Sequence, residues 1–436
     1  MIGLPPAEEE RLANGARVVV ARRPGVPLAA VRLLVRAGAA LDPAGRHGLA
    51  HLVAQAARRG TRRRSGRRID EEIEGLGAEL GAGADEDATS FGLSAPAEWL
   101  PRLLDVVVDV ATAPTFPQAE LERIRRREVA SLAHDLDEPG TIADRAMIMA
   151  AYGDHPYGHP VEGRARHLAA MRRPDAAAFH RRWYGPGVAT LVIVGAVDPA
   201  KALRLASRRL GGWRPAAETP PEVPAPTPRE REVWVLDKPD ATQAQVRIAT
   251  PAIPRNSPEY FPAVVANTIL GGGFTSRLMQ AIRVNRGLSY GARSRFSMSR
   301  SAGLFFVSSF TKVESTAELV EVALDEVRRF RDDGPTGEEL ERAKGYLCGL
   351  FPLSLETHGQ VADKLCDLAL YGFGVEEVTG YRDRVRAVTA EACREVGRRH
   401  FPDGRGVVVV VGPAKALAPT LERFGPVTVS PARRIL

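Results

Sequence analysis

Residues 46–61 read Arg46-His47-Gly48-Leu49-Ala50-His51-Leu52-Val53-Ala54-Gln55-Ala56-Ala57-Arg58-Arg59-Gly60-Thr61. The apolar residues from His47 to Arg58 recur at helical spacing. His47 and His51 lie four apart, so one helix through both would set them on a single face as a metal pair. A second reading places His47 ahead of the helix, where Gly48 weakens helical order, and leaves His51 as a cleft-lining imidazole bonded to a neighbour. No acid stands between the two histidines, since Ala50 occupies the position a general base would need.

Working outward, 436 residues exceed one ordinary core and call for two or more domains. An apolar fraction of 44% and a charged fraction of 26% are those of a globular protein. No apolar run approaches the ~20 residues that span a bilayer. The first residues carry Glu8, Glu9 and Glu10 and no extended apolar stretch, unlike a secretory signal. The expected compartment is cytoplasmic, or periplasmic if a signal has been removed. Cys348, Cys366 and Cys393 show no ligand spacing and are expected as reduced thiols. The net charge is +7, densest at Arg58, Arg59, Arg62, Arg63, Arg64, Arg67 and Arg68. That run has no interleaved aromatics and no nucleic-acid module around it, so a solvated arginine-rich surface is expected and no nucleic-acid partner.

Residues 215–228, PAAETPPEVPAPTP, divide the chain nearly in half and read as an extended linker. The halves resemble each other. Glu120-Leu121-Glu122-Arg123 recurs as Glu339-Leu340-Glu341-Arg342, each copy after a Pro/Thr turn and an amphipathic stretch (Trp99 to Ala111, Thr316 to Phe330). One repeat about half a chain long means a duplicated domain rather than a solenoid. Strands are expected at Arg17–Ala21, Ala30–Val35, Thr190–Val194, Glu232–Leu236, Gln245–Ala249, Gly303–Ser308 and Val407–Val411. Helices are expected at His47–Arg58, Asp70–Leu76, Glu120–His134, Ala200–Arg208, Pro258–Leu270 (Pro258 in its first turn) and Gly337–Leu350. The pattern gives an α+β chain of two sheet-and-helix domains, 1–214 and 229–436, joined by 215–228.

These motifs resemble the insulinase and mitochondrial-processing-peptidase family. The likeness runs through Leu12-Ala13-Asn14-Gly15, Arg36-Ala37-Gly38, Ile73-Glu74-Gly75-Leu76-Gly77, His155-Pro156-Tyr157-Gly158 and Trp183-Tyr184-Gly185-Pro186. In the second half it takes in Leu270-Gly271-Gly272-Gly273-Phe274-Thr275-Ser276-Arg277-Leu278 and Arg283-Val284-Asn285-Arg286-Gly287-Leu288-Ser289-Tyr290. The resemblance implies a duplicated insulinase-type fold that forms half of a clamshell chamber. It also implies an inverted zinc motif, H-x-x-E-H, at 51–55. Here His51 keeps the first ligand position, Ala54 stands at the base and Gln55 at the second ligand. Alignment on Pro139 puts Ala130 and Ser131 at the distal glutamates. A methyl takes no proton from water and a carboxamide is a poor zinc ligand, so no metal and no other cofactor is expected in this chain.

The resemblance gives Arg283 and Tyr290 the roles of binding the substrate backbone and stabilising the oxyanion, with Gly271, Gly272, Gly273 and Phe274 lining the substrate path. Donors kept and ligands lost imply the non-zinc subunit of a heterodimeric metallopeptidase, inactive alone. Its partner would be a related chain that holds zinc, and its substrate a peptide or unfolded chain. The alternative is a catalytically silent scaffold homologue.

Overall fold

In the computed structural model, which describes residues 3–227 and 229–435, the Val- and Ile-rich runs become the central strands of two six-stranded sheets. The first sheet uses β1 (Ala7–Arg11), β2 (Arg17–Arg22), β3 (Leu28–Val35), β4 (Gly81–Ala84), β5 (Thr89–Pro96) and β6 (Ala189–Gly195) in the order β1-β2-β6-β3-β5-β4. The second uses β7 (Glu232–Asp237), β8 (Gln243–Ala252), β9 (Ala292–Met298), β10 (Gly303–Lys312), β11 (Val407–Gly412) and β12 (Val427–Pro431) in the order β12-β7-β11-β8-β10-β9.

Strand by strand, β2-β6-β3-β5-β4 matches β7-β11-β8-β10-β9 in order and in direction. β2 and β6 run parallel, as do β7 and β11. Every later pair in both series is antiparallel. Only the far edge differs, since β1 is antiparallel to β2 whereas β12 is parallel to β7. The fold is therefore α+β with two like sheet-and-helix domains.

The helices of the first half are α1 (Leu49–Ala57), α2 (Gly66–Glu74), α3 (Leu100–Thr112), α4 (Gln118–His134), α5 (Pro139–Tyr152), α6 (Ala165–Ala170), α7 (Arg173–Trp183) and α8 (Pro199–Leu210). In the second half α9 (Tyr260–Asn267), α10 (Thr316–Asp333), α11 (Gly337–Leu350) and α12 (His358–Tyr371) follow. Glu120 and Glu339 both sit in a first helical turn, of α4 and α11, each after the long helix that follows its sheet hairpin. Pro258 stands ahead of α9, not within its first turn.

Two compact units result, and neither is contiguous in sequence. The first comprises residues 3–130, 161–222 and 351–380. In it α3 packs on β3 and β5, α8 on β2, and α12, which comes from the second half of the chain, on β3 and β6. The second unit comprises 131–160, 223–350 and 381–435. There α5, from the first half, lies on β8 and β11. Ile142, Ala146, Met147 and Ala150 of α5 meet Ala249, Val409 and Val411, while Val408 and Val410 face a larger core with Phe305, Phe330 and Phe401. β11 is thus covered on both faces, which is why five consecutive valines show no alternation.

The arginine-rich run is largely ion-paired. Arg59 meets Asp70, Arg63 meets Asp105, and Arg67 and Arg68 pair with Glu71 and Glu72 one turn on. Arg64 departs from the expected solvated surface. Its guanidinium is mostly covered and binds Glu72, Asp105 and the buried Asp109, with Asp109 also holding the Thr61 hydroxyl at 2.7 Å. Residues 215–227 form no helix or strand, and the three cysteines are buried and free. Among the described residues no helix is long and apolar enough to cross a membrane.

Candidate functional site

The residues singled out in the sequence fall in two places, one around α1 and α4 and one between α9 and β9. The first is built on α1. Its N-cap is Gly48, in the left-handed region at φ 99°, with no side chain to cap the helix. Asp42 supplies the missing acceptor, taking the Gly48 and Ala50 backbone N–H groups at 2.6 and 2.8 Å. Burial pushes the Asp42 carboxyl up to about 7 against these bonds. The helix begins at Leu49, so His47 lies outside it and packs edge-to-face on His167 at 4.9 Å between ring centroids. Hence His47 and His51 do not share a helical face.

His51 points at α4. Its Nε2 lies 3.3 Å from Glu128 Oε2, with the two side chains 17% and 14% exposed. Arg127 holds the other Glu128 oxygen at 2.7 Å. The hydrogen bond from His51, assisted by Arg127, draws the Glu128 carboxyl down to about 2. Ala54 is fully buried, and Gln55 donates its carboxamide N–H to the Ala82 carbonyl of β4 at 2.8 Å.

Ser131 is exposed on α4. The alignment on Pro139 singles out Ala130 and Ser131 and misses Glu128. Three residues before Ser131 puts Glu128 nearly one turn back on the same helix, and that spacing was the available signal. As a zinc site the donors do not fit. One imidazole is engaged by a carboxylate, the neighbouring carboxamide nitrogen is spent on β4, and a methyl fills the base position. Among the described residues no three His, Cys, Asp or Glu side chains form a group able to hold a metal ion.

The second place lies between α9 and β9. The chain leaves α9 through a π-helical turn, Thr268–Gly272, crosses Gly273-Phe274-Thr275-Ser276, and re-enters helix with a second π-helical turn, Met279–Val284. Such turns are rare and concentrate at functional sites. Gly271 is needed for close packing, because a Cβ there would sit 2.4 Å from the Ser294 backbone nitrogen on β9. At Gly273 the nearest atom to a Cβ would be 3.7 Å away. Gly272 is intermediate, with Asn267 at 3.0 Å. Of the three, Gly271 answers to packing against β9, and Gly273 is open on the loop.

Arg283 sits in the last turn of the second π-helical segment, with its guanidinium carbon 5.0 Å from the centre of the Phe274 ring. Arg283 also receives the Gly287 N–H on its carbonyl, and Gly287 turns at φ 62°. Tyr290 follows in the loop before β9 and is 83% exposed. The backbone around it is pinned. Thr311 Oγ1 donates to the Leu288 carbonyl at 2.6 Å, and Ser309 and Ser289 hydroxyls both donate to the Gly291 carbonyl. These bonds hold the backbone on either side of Tyr290, while its side chain stands in solvent. Arg277, next to the loop, makes a two-pronged bond to Glu339 of α11 at 2.7 Å on each arm. Burial acts to raise the Glu339 carboxyl, but the Arg277 fork and Thr336 bring it down to about 2.

Family models match both halves of the chain. Residues 17–164 match the insulinase family, peptidase family M16, and residues 170–347 match the M16 inactive domain. An uncharacterized zinc protease of Streptomyces coelicolor is 27% identical over 95% of this chain and 91% of its own length. One from Mycobacterium tuberculosis is 28% identical over 92% of each chain. Among solved structures, a peptidase M16 inactive domain from Pseudomonas fluorescens is 26% identical and superposes with a TM-score of 0.88 over 94% of this chain and 98% of that one. A protease from Helicobacter pylori, at 19% identity, shares the fold with a TM-score of 0.86 over 94% and 100% of the two chains. With two matched regions covering most of its length and these relatives end to end, the chain belongs to the insulinase family of peptidases, M16.

Proposed function

We propose that this chain is the non-zinc subunit of a heterodimeric zinc metallopeptidase. In this reading residues 1–214 are a peptidase domain with a spent metal helix. Residues 229–436 bind the peptide and present Arg283 and Tyr290 to its scissile carbonyl, and 215–228 join the two. The observation that carries the reading is the contrast between the two places. The metal-helix positions are filled by Ala54, by Gln55 bonded to β4 and by His51 paired with Glu128. Tyr290, by contrast, stands exposed on a pinned loop. The same segment carries three exposed large side chains, Phe274, Val284 and Tyr290, of the kind that a surface meeting another molecule offers. The zinc-protease names of the relatives favour a peptide as that molecule.

Chemically, Arg283 would hold a backbone carbonyl in the ground state and Tyr290 would donate to the oxygen as negative charge develops. The attacking water and its base would belong to the zinc-bearing subunit. The test is reconstitution with a related chain carrying an intact H-x-x-E-H. Tyr290→Phe removes one donor and little volume. It is expected to lower turnover ~10²–10³-fold with little change in KM, while the complex still assembles. Unchanged turnover would instead favour the scaffold reading.

A further inference from the structure

The two helices that cross between the compact units are copies of each other. From the second residue of α5 the chain reads Gly140-Thr141-Ile142-Ala143-Asp144-Arg145, and from the second residue of α12 it reads Gly359-Gln360-Val361-Ala362-Asp363-Lys364. Both close on Tyr-Gly, at Tyr152-Gly153 and Tyr371-Gly372. The spacing between the copies is the one that separates Glu120 from Glu339, so α5 and α12 are the same element of the repeat. Each nevertheless lies on the sheet of the other half, α5 on β8 and β11 and α12 on β3 and β6.

The strands that receive them match too. Arg32 of β3 pairs with Val192 of β6 and Gly92 of β5, and Arg247 of β8 pairs with Val409 of β11 and Ser308 of β10. Val192 and Val409 each stand three residues before the glycine that ends the strand, Gly195 and Gly412. The two arginines thus occupy one position of the repeat, and they make the same bonds. Arg32 Nε donates to Asp363 Oδ1 at 2.7 Å, and Arg247 Nε donates to Asp144 Oδ1 at 2.5 Å. Nη1 of each donates to the carbonyl of the preceding residue, Val31 or Val246, and to a carbonyl of the hairpin strand, Leu93 or Ser309. The glycines of the first helical turn leave room for the guanidiniums. A Cβ on Gly359 would stand 3.1 Å from Arg32 Nη2, and one on Gly140 3.7 Å from Arg247 Nη2. Sheet carbonyls hold each planar fork in place, so little freedom is lost when the aspartate closes on it.

The consequence is topological. α5 belongs to the first half of the sequence and to the second unit, and α12 to the second half and the first unit. After a cut within 215–227 the halves separate only when each helix leaves its sheet. Lifting α5 alone uncovers Ile142, Ala146, Met147 and Ala150 together with Val409 and Val411, an apolar surface whose exposure to water is costly. We propose that α5 and α12 are reciprocal straps closed by duplicated clasps, Asp144 on Arg247 and Asp363 on Arg32, and that the straps keep the two halves of the chain assembled without the connecting segment. The device is independent of the chemistry at Arg283 and Tyr290.

The experiment uses the full chain, with a site for a sequence-specific protease inserted between Pro221 and Glu222, both exposed, and cut after folding. The two fragments are expected to elute together at the volume of the uncut protein and to part only in urea. Asp144→Asn and Asp363→Asn keep the shape of each clasp and remove its charge. Each should raise the apparent dissociation constant of the fragments, at a fixed urea concentration, about 3–30-fold. That lies below the effect of a fully buried charged bond, because both aspartates are more than half exposed. Hydrogen exchange on the uncut chain separates a clasp from a general loss of stability. Asp144→Asn should quicken exchange in α5 and leave α12 unchanged, and Asp363→Asn should do the reverse. The proposal is overturned if the cut parent falls apart in native buffer, if neither substitution loosens the fragments, or if each quickens both helices alike.

Discussion

Replacing Glu128 by Gln keeps the shape of the contact with His51 and removes its charge. The folded Glu128 carboxyl lies at about 2 against an ordinary 4.5. At 1.36 kcal/mol per pH unit, that difference caps its contribution at about 3 kcal/mol. Arg127 shares the carboxylate and the pair is not fully dry, so the coupling between His51 and Glu128 should be smaller, about 1–2 kcal/mol. The assay is a double-mutant cycle, His51→Ala and Glu128→Gln, by urea unfolding at pH 6, following whichever transition the single variants move. The sign of the pH effect follows from the depressed carboxyl. Its stabilisation is complete above pH 4.5 and drains away as the pH falls toward 2. The gap between the parent and Glu128→Gln should therefore close over that interval. A coupling below ~0.3 kcal/mol, or a gap that stays constant from pH 5 to pH 2, would refute the claim that this pair ties α1 to α4 where a metal would otherwise do so.

Other outcomes can be checked separately. Arg283→Ala in the reconstituted complex should raise KM as well as lower kcat, because a guanidinium on the peptide backbone acts before the transition state too; steady-state kinetics separates the two. Elemental analysis of the isolated chain should find no stoichiometric zinc, and Ala54→Glu should not change that, since it supplies a base and no second imidazole. Gly271→Ala should cost about 1–3 kcal/mol through its clash with the β9 backbone, whereas Gly273→Ala should stay within ~0.5 kcal/mol, both read from chemical denaturation.

The strands legible in the sequence are those with buried, branched side chains. Val407–Val411 and Thr190–Val194 stand out because both of their faces are covered. The edges are silent for the opposite reason. β1, Ala-Glu-Glu-Glu-Arg, is exposed at every position, and β4, Gly-Ala-Gly-Ala, has almost no side chain to pattern. Their pairing is decided by neighbours far along the chain. α12 escapes notice although it carries a Thr357/Gln360 capping box, since one polar signature in a mixed stretch is easily passed over. At the candidate site, Ala54 and Gln55 could be read directly as losses. Glu128 is missed although it lies three residues before Ser131 on the same helix, because a family alignment asks which residue occupies a position and not which residue a helix turns toward His51.

The exchange of α5 and α12 between the compact units bears on how the protein is made. The last strand of the first sheet is finished at Gly195, but the helix that covers β3 and β6 ends only at Tyr371. About 175 residues must still be synthesised in between, which at ordinary translation speeds takes roughly 10–35 s. Throughout that time Val192 and Val194 of β6, paired with Arg32 and Ala30, face outward with nothing over them. A nascent chain in that condition is a natural client for a holding chaperone. A ribosome stalled between the two points would release a first unit whose sheet lacks its cover.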